Sequence, residues 1–213
     1  MDRSTLVVIS DLSGFDEGDE VLRAWVNGAQ HLDDRFVNVI FENCLFTACV
    51  FQMTSFVSCE FLDCIFEGCD LSGVRLDSSR LGGCRFVECK LTGVDWTRPD
   101  WRALTMYGPL QFEQCRLAES FAAGVPWAKV HFTDSNLTLV DFGGADLSGA
   151  RFDGTDLHGA RFDRATLDGA DLSGARNYLI DVRATSVADA AFSLPHAVGL
   201  LEALPIRLIE PPP

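Results

Sequence analysis

The sequence contains no apolar run long enough to cross a membrane. The longest such run near its beginning covers residues 6–9, far short of the roughly 20 residues that a spanning helix needs. This run is also too short for the apolar core of an export signal. We therefore expect a cytoplasmic protein, whose eight cysteines are thiols rather than disulfides.

Basic residues are scarce in this chain. Lys and Arg together number 17 against 31 Asp and Glu, which gives a net charge of −14. A polyanion is repelled by nucleic acids and by anionic membranes, so we expect neither as a direct partner. The balance favours a partner with a basic surface, although many acidic proteins are acidic only for solubility.

The sequence has a large apolar residue at every fifth position over most of its length. This core series starts at Phe36, runs to Met106, restarts at Phe112, runs to Leu172 and returns at Phe192. Fourteen of the 16 phenylalanines lie on it, so the period is not accidental. We therefore treat the chain as an array of internal repeats.

A second series lies two residues before each core position and contains only small or medium side chains. All eight cysteines fall on it: Cys44, Cys49, Cys59, Cys64, Cys69, Cys84, Cys89 and Cys115. A period of five leaves no apolar stripe on an α-helix and alternates faces on a flat strand. Both series point inward if the chain turns a corner once per repeat, which predicts a coil.

The motif ADLSG, at 145–149 and again at 170–174, resembles the consensus of the pentapeptide-repeat proteins. The resemblance covers about 150 residues. It implies an all-β fold, a right-handed quadrilateral β-helix with four repeats per turn, here followed by a short C-terminal α-helical cap. The four sides and the hand of the helix come from the resemblance, not from the period.

A closer resemblance begins at Leu91, with LTGVDWTRPDWRALTMYGPLQFEQCRLAES, and continues with NYLIDVRATSVADAAFSLPHAVGLLEALPIRLIE from Asn177. These stretches are similar to the DNA-gyrase-protecting subgroup of the family. That subgroup includes the fluoroquinolone-resistance and albicidin-resistance proteins, and the albicidin type is the more similar. The resemblance implies binding to DNA gyrase, with topoisomerase IV as a second candidate partner, and a homodimer.

The changes in pattern divide the chain into three parts. Residues 1–35 lie off the core series and are expected to cap the open end of the β-helix, which covers 36–192. Within 1–35, LVVIS reads as an edge strand or as the first side of a coil, and DEGDEVLRAWVNG has a weak helical pattern.

Residues 193–213 are expected to cap the other end. Ser193 is the predicted N-cap of a helix, and IRLI at 206–209 a strand. The apolar content exceeds what an exposed helix tolerates, so we expect this end to pair with a second copy, a cap alone being the alternative. The predicted dimer interface consists of Val198, Leu200, Leu201, Leu204 and Ile206.

The core series slips by one residue between Met106 and Phe112, next to Tyr107, Gly108 and Pro109. Gly and Pro suit a protrusion, and Pro99, at a small position, makes this side irregular. The segment is either a tolerated insertion or a projecting loop that contacts the partner. The long loops of the quinolone-resistance proteins are absent.

The sequence shows no pattern of residues suited to catalysis or cofactor binding. His31, His131, His158 and His196 do not cluster, and no Gly-rich phosphate loop opens a helix. Consecutive cysteines fall on different sides of the coil, so four of them cannot converge on a metal ion. A filled coil offers no pocket either. We expect a protein that is not an enzyme and has no cofactor.

The segment 134–189 carries ten acids and five arginines, a net charge of −5. With a rise of ~4.8 Å per turn, this is about one net charge per ~2.7 Å of axis, against one per ~1.7 Å in duplex DNA. A basic surface built for DNA would attract such a rod. The hypothesis is a DNA mimic that protects gyrase from a poison; the alternative is an acidic scaffold for an unrelated basic partner.

The predicted contact surface comprises one acid per turn on the side built on Phe112, Phe132, Phe152 and Leu172, further acids on a neighbouring side, and the protrusion. The residues are Glu113, Asp134, Asp153, Asp171, Asp141, Asp163, Asp181, Tyr107, Gly108 and Pro109.

Overall fold

The computed structural model describes residues 3–102 and 107–209 and shows a β-solenoid. Its largest sheet has eight strands, separated by seven successive turns of the chain. Every strand pair is parallel, because each turn winds in the same direction as the one before it. One short α-helix follows the solenoid in the described part of the chain.

The strands are short, since each covers only one side of one turn. A 3₁₀ helix at Arg3–Thr5 precedes them. Their bounds are β1 Val7–Ile9, β2 Glu20–Leu22, β3 Ala24–Asn27, β4 Arg35–Val37, β5 Ile40–Glu42, β6 Leu45–Thr47, β7 Ser55–Val57, β8 Glu60–Leu62, β9 Ile65–Glu67, β10 Arg80–Gly82, β11 Arg85–Val87, β12 Gln111–Glu113, β13 His131–Thr133 and β14 Arg151–Asp153, with the helix α1 at Val198–Glu202.

The solenoid has four sides, which we number in chain order. Side 1 is the sheet β1-β3-β6-β9-β11-β12-β13-β14, and side 3 contains the pair β4-β7. Side 4 contains the sheet β10-β8-β5-β2. Side 2 is held by isolated bridges that run from Gln30 through Val50, Asp70 and Lys90 to Arg176. The quadrilateral form thus fits the structure, while the right-handed winding stays a prediction.

The two inward-facing series are confirmed. The described core-series residues from Phe36 to Leu172 are buried, apart from the half-buried Trp101. Met106 lies outside the described residues. The described residues of the small series from Cys44 to Ala175 are buried too. On side 1 the rings of Phe46 and Phe66 stack 4.6 Å apart, and similar stacks continue to Phe152.

The corners depend on residues in the left-handed backbone region. Among the residues that the structure describes, eighteen that are not glycine have positive φ, and all but Asn177 lie two residues after a core position. Glycine reaches this region without strain, and Asn and Asp reach it more easily than other side chains. This explains why Gly, Asn and Asp recur at that position of the repeat.

The N-terminal part differs from the prediction. Val21, Val26 and His31 continue the core series and are buried, so the series begins at residue 21 and not at residue 36. The segment with the weak helical pattern forms β2 and β3, and the helical interpretation is wrong. LVVIS supplies β1, which pairs with β3. Strand pairing therefore crosses the expected boundary at residue 36.

One turn is longer than the others. Paired residues on side 1 are usually 20 positions apart, but Phe86 pairs with Phe112. The Asp100 N–H donates to Ser79 O at 2.8 Å in the normal register, and Gly83 N–H donates to Gly108 O at 3.1 Å in the shifted one. The extra residues therefore enter on side 4 between Asp100 and Gly108. Pro99 points inward and is buried, as predicted.

Of the helices in the described ranges, none is long and apolar enough to span a bilayer.

Replacing Phe142 by Ala tests the core. Phe142 is fully buried and stacks on Phe162 at 5.3 Å, so the substitution should lower the free energy of unfolding by about 3–5 kcal/mol. Phe121→Ala is the matched control, because Phe121 is 56% exposed, and its cost should stay below about 1 kcal/mol. Urea denaturation measures both. Equal costs for the two variants would show that Phe142 does not fill the core.

Candidate partner-binding surface

Four of the predicted contact residues lie on side 1 but not in a single column. Glu113, Thr133 and Asp153 are register partners in successive turns, whereas Asp134 follows Thr133 in the next position along the chain. Asp171 bridges to Arg151 in a third column. The acids therefore spread across the width of side 1 and do not form a line.

Five of the seven predicted acids are paired with arginine. Glu113 meets Arg85 at 2.5 Å and Asp153 meets Arg151 at 3.0 Å. On side 3 the distances are 3.6 Å from Arg161 to Asp141, 3.1 Å from Arg161 to Asp163 and 2.6 Å from Arg183 to Asp181. Exposed ion pairs of this kind add little stability. They do cancel much of the local field that a basic partner would sense.

Three of these carboxylates also shape the backbone. The N–H two residues along the chain donates to Asp141, Asp171 and Asp181, at 2.9 Å in each case. Hydrogen bonds from Ser173 lower the pKa of Asp171, and those from Arg183 lower the pKa of Asp181 to about 2. The primary role of the Asp in the ADLSG motif is thus to stabilise the turn, not to contact a partner.

The register shows where the net charge of segment 134–189 lies. Side 3 has three acids and three arginines, and side 2 has Asp156 with Arg176, so both are neutral. Side 1 has Asp134, Asp153 and Asp171 with Arg151, a net −2. Side 4 has Asp146, Asp168 and Asp189 and no base, a net −3. All the net charge lies on two adjacent sides.

The three acids of side 4 were not among the predicted contacts. Their signal is present in the sequence, because the repeats at 145–149, 165–169 and 185–189 contain an Asp and no Arg. Asp146 and Asp189 are exposed, while Asp168 accepts hydrogen bonds from Ser186 Oγ at 2.6 Å and Ala188 N at 3.0 Å. We define the acidic edge as Asp134, Asp171, Asp146, Asp168 and Asp189.

The segment of Tyr107, Gly108 and Pro109 lies on side 4, where the longer turn closes. A Cβ added to Gly82 would lie 2.6 Å from Tyr107 Cγ, so the Tyr107 ring covers this glycine and does not project freely. Gly108 and Pro109 are exposed. These residues border a groove, and the expectation of a coil without any pocket is therefore wrong.

The C-terminal helix caps the solenoid at close range. A Cβ on Gly199 would lie 2.1 Å from Tyr178 O, so only glycine allows this approach. The N-cap residue is Ala197 and not Ser193, and residues 206–209 form no strand, so both expectations are corrected. Ser193 Oγ donates to Ser173 O instead.

The predicted dimer residues divide into two groups. Val198, Leu201 and Ile206 are 38%, 45% and 55% exposed, and Leu194 nearby is 83% exposed. Leu200 packs against the core, and Leu204 is half-buried. The exposed group could meet a partner, while Leu200 belongs to the cap.

The cysteines have a structural role that size alone did not reveal. All eight are free and buried, and each thiol donates to the carbonyl of a core residue in the preceding turn. Cys64 to Phe41 O at 3.3 Å and Cys84 to Phe61 O at 3.2 Å are examples. Ser79, Ser135 and Thr155 donate in the same way. A small side chain with a hydrogen-bond donor is therefore favoured at this position, because it satisfies the carbonyl of the core residue in the preceding turn.

The described residues contain no group of three or more His, Cys, Asp or Glu side chains placed to hold a metal ion. His31 is buried in the core series, with Nδ1 at 2.8 Å from Asp34 and Nε2 accepting from the Leu12 N–H at 3.1 Å.

With this geometry established, the family can be stated. Two family models match the chain, "Pentapeptide repeat region" at residues 39–110 and "Pentapeptide repeats (8 copies)" at residues 135–174. Together they cover more than half of the sequence, and the chain belongs to the pentapeptide-repeat proteins. No curated protein sequence matches it significantly.

Solved structures with the same fold include QnrB1, a plasmid-mediated fluoroquinolone resistance protein. A trypsin-treated variant of it is 18% identical with a TM-score of 0.70, covering 96% of this chain and 97% of its own. HetL, a pentapeptide repeat protein involved in heterocyst differentiation regulation in the cyanobacterium Nostoc sp. strain PCC 7120, is 16% identical with a TM-score of 0.58, covering 84% and 87%. With sequence identities this low, the structural similarity shows a shared fold and nothing further.

The thiols should be unreactive while the protein is folded. All eight are buried, so a reagent cannot reach them in the folded protein. For Cys84, burial also raises the pKa to about 12, whereas the thiolate is the reactive form. A thiol-specific chromogenic reagent at pH 8 should label none of the eight cysteines in the native state and all eight in guanidinium.

The raised pKa of Cys84 also makes the stability of the folded protein depend on pH. Because the folded-state pKa of Cys84 lies above the ordinary value of ~8.5, its contribution to stability is complete below that pH and is lost as the pH rises toward 12. Rapid labelling of the native protein would contradict the burial of the thiols.

Proposed function

We propose that this protein is a DNA mimic that binds the DNA-binding surface of a type II topoisomerase, DNA gyrase in the first place, and protects it from a poison. Binding of this kind would give antibiotic resistance without catalysis and without a cofactor. Topoisomerase IV has a similar task and is the second candidate partner. The observation that carries the proposal is the confinement of net charge to the acidic edge.

The edge has a charge density suited to this role. The net −5 of segment 134–189 lies on sides 4 and 1. A rise of ~4.8 Å per turn then places about one net charge per ~2.7 Å along one edge of a rigid rod, more than half the axial density of duplex DNA. A saddle lined with Lys and Arg would be attracted by the same electrostatics.

Two similarities support this choice of partner. The sequence resembles the gyrase-protecting subgroup from Leu91 onward, and the fold is shared over almost the whole chain with a fluoroquinolone resistance protein. Neither similarity identifies the partner. An unrelated basic partner would use the same edge, so the experiment must separate the two.

The choice of variants follows from the hydrogen bonds. Replacement of Asp by Asn removes charge but keeps an acceptor for the turn at Asp146, and Asn tolerates the positive φ of Asp134 and Asp189. The triple variant Asp134→Asn, Asp146→Asn, Asp189→Asn therefore discharges the edge while keeping the fold. The matched control is Asp141→Asn, Asp163→Asn, Asp181→Asn on side 3, with the same total charge.

Protection is measured with a gyrase supercoiling and cleavage assay that contains a quinolone or albicidin. The wild type should protect, the edge variant should need at least about tenfold more protein, and the side 3 control should stay close to wild type. Binding should also weaken steeply between about 50 and 200 mM salt, as many-charge contacts do. Equal effects of both variants would refute the acidic edge as the contact surface. A wild type that neither binds nor protects gyrase would refute the partner.

We also propose a homodimer through the C-terminal segment, with Val198, Leu201 and Ile206 at its centre. The pair Leu201→Asp and Ile206→Asp should give a folded monomer, because both side chains are exposed in the single chain. Leu200→Asp is the contrasting variant, since Leu200 packs on the core and its replacement should destabilise the cap. Sedimentation velocity measures assembly and thermal unfolding measures the cap. A wild type that is monomeric at micromolar concentration would contradict the dimer.

A further inference from the structure

His31 occupies a core position of side 2 that Phe51 and Leu71 fill in the next two turns. Its side chain is only 3% exposed, and its ring stacks on that of Phe51 with centroids 6.0 Å apart. The size of the position does not require a histidine, because Phe or Leu fills the later turns. The proposed contact with a topoisomerase does not use this residue, so the polar ring needs another explanation.

Both ring nitrogens of His31 have hydrogen-bond partners, and these define the neutral tautomer. Nε2 accepts a hydrogen bond from the Leu12 N–H at 3.1 Å, so it carries no hydrogen of its own. The ring hydrogen is therefore on Nδ1, which lies 2.8 Å from Asp34 Oδ2 and donates to it. The neutral ring thus connects the loop 10–19, between β1 and β2, to the first turn of the solenoid.

The loop that His31 holds closes the N-terminal end of the core. Leu12 is fully buried and belongs to the core cluster, and Phe15 packs against the same cluster. Asp11 and Ser13 on either side of Leu12 are exposed, so Leu12 is the part of this turn that enters the core. A donor buried in this way is costly to leave without an acceptor.

Protonation of the ring changes what Nε2 can bind. An imidazolium carries hydrogens on both nitrogens and cannot accept from the Leu12 N–H. Asp11 Oδ1 lies 3.4 Å from His31 Nε2, and Asp34 already faces Nδ1, so each nitrogen of the charged ring has a carboxylate within reach. Hydrogen bonds from Ser13 lower the pKa of Asp11, which keeps this carboxylate charged in mild acid.

The other charged groups around the ring are engaged elsewhere. In the loop, the Asp16 N–H donates to Asp19 at 2.8 Å, and Glu17 accepts a hydrogen bond from Asn38. At the corner after side 2, Asp33 pairs with a basic side chain, Arg75, at 3.1 Å. The contacts of the described residues place no basic side chain against the His31 ring.

We infer that His31 is a pH-sensitive switch that controls the attachment of the loop 10–19 to the end of the solenoid. The neutral ring holds the Leu12 N–H. On protonation Nε2–H turns to Asp11, the Leu12 N–H loses its acceptor, and the turn around Leu12 detaches from the core. Histidine is the side chain whose charge ordinarily changes between pH 5 and 8, so mild acid is the trigger. The inference is independent of the proposed partner, because it concerns the first turn and not the acidic edge.

Amide hydrogen exchange, followed by NMR on the full chain, tests this switch. After correction for the intrinsic pH dependence of exchange, the protection factor of the Leu12 amide should fall at least about tenfold from pH 8 to pH 5. The Val50 amide donates to Ala29 O at 2.9 Å on the same side and should keep its protection. The midpoint should coincide with the titration of the His31 ring signals. Protection of Leu12 that does not depend on pH would overturn the inference.

A variant at His31 separates the switch from a general effect of acid. His31→Gln keeps an acceptor for the Leu12 N–H but cannot be protonated, so the protection of Leu12 should become independent of pH. A loss of protection at pH 5 that persists in this variant would assign the effect to another group and overturn the inference.

Two aspartate variants give a second test that does not depend on the folding of His31→Gln. Asp11→Asn keeps the oxygen that accepts from the Ser13 N–H at 2.9 Å but removes the charge beside Nε2, which should move the midpoint about half a pH unit lower. Asp16→Asn is the matched control, because it removes a charge of the same loop that does not contact the ring. Equal shifts in the two variants would show general electrostatics and refute the role of Asp11.

Discussion

The whole structure depends on the return of the chain to the same register once per turn. Parallel hydrogen bonds between turns form only if each corner closes correctly, and the corners close because one residue per side adopts positive φ. With the register fixed, one large side chain per side fills the axis and stacks on its equivalent one turn away, as Phe66 does on Phe86 at 5.0 Å. The buried thiols add a bond between turns by donating to core carbonyls.

The same register determines the surface chemistry. On side 3 arginines neutralise the acids both across turns and along the chain: Arg161 pairs with Asp141 one turn earlier and with Asp163 two residues later, and Arg183 pairs with Asp181. In segment 134–189 side 4 has no arginine and side 1 has only Arg151 for three acids, so the net charge accumulates along one edge. Because the net negative charge lies along one edge, a basic partner would be attracted to that edge. A uniform distribution of carboxylates would favour no side over another.

The sequence predicted the core because each repeat carries its own signal, a Phe or Leu with a small residue two positions before it. Val21, Val26 and His31 were missed because they are not the large apolar residues that mark the series elsewhere. The neutralisation of Asp141 was missed because Arg161 lies 20 residues away and is brought to it only by the register between turns. The pair of Arg161 with Asp163, two residues later, was open to prediction from the sequence, and that prediction was not made. The groove was missed because it arises where extra residues interrupt one side, and the strand at 206–209 failed because no neighbouring turn pairs with it.

The 26-residue turn between Phe86 and Phe112 shows what sets the axial spacing of side chains in this solenoid. The axial position of a side chain is counted in turns and not in residues, so the extra segment changes the outline of side 4 without moving any later charge along the axis. Residues can therefore be inserted into one side of the solenoid without changing the axial spacing of its turns. New loops can be acquired at a corner while the spacing of the acidic edge, on which recognition by a periodic partner would depend, is preserved.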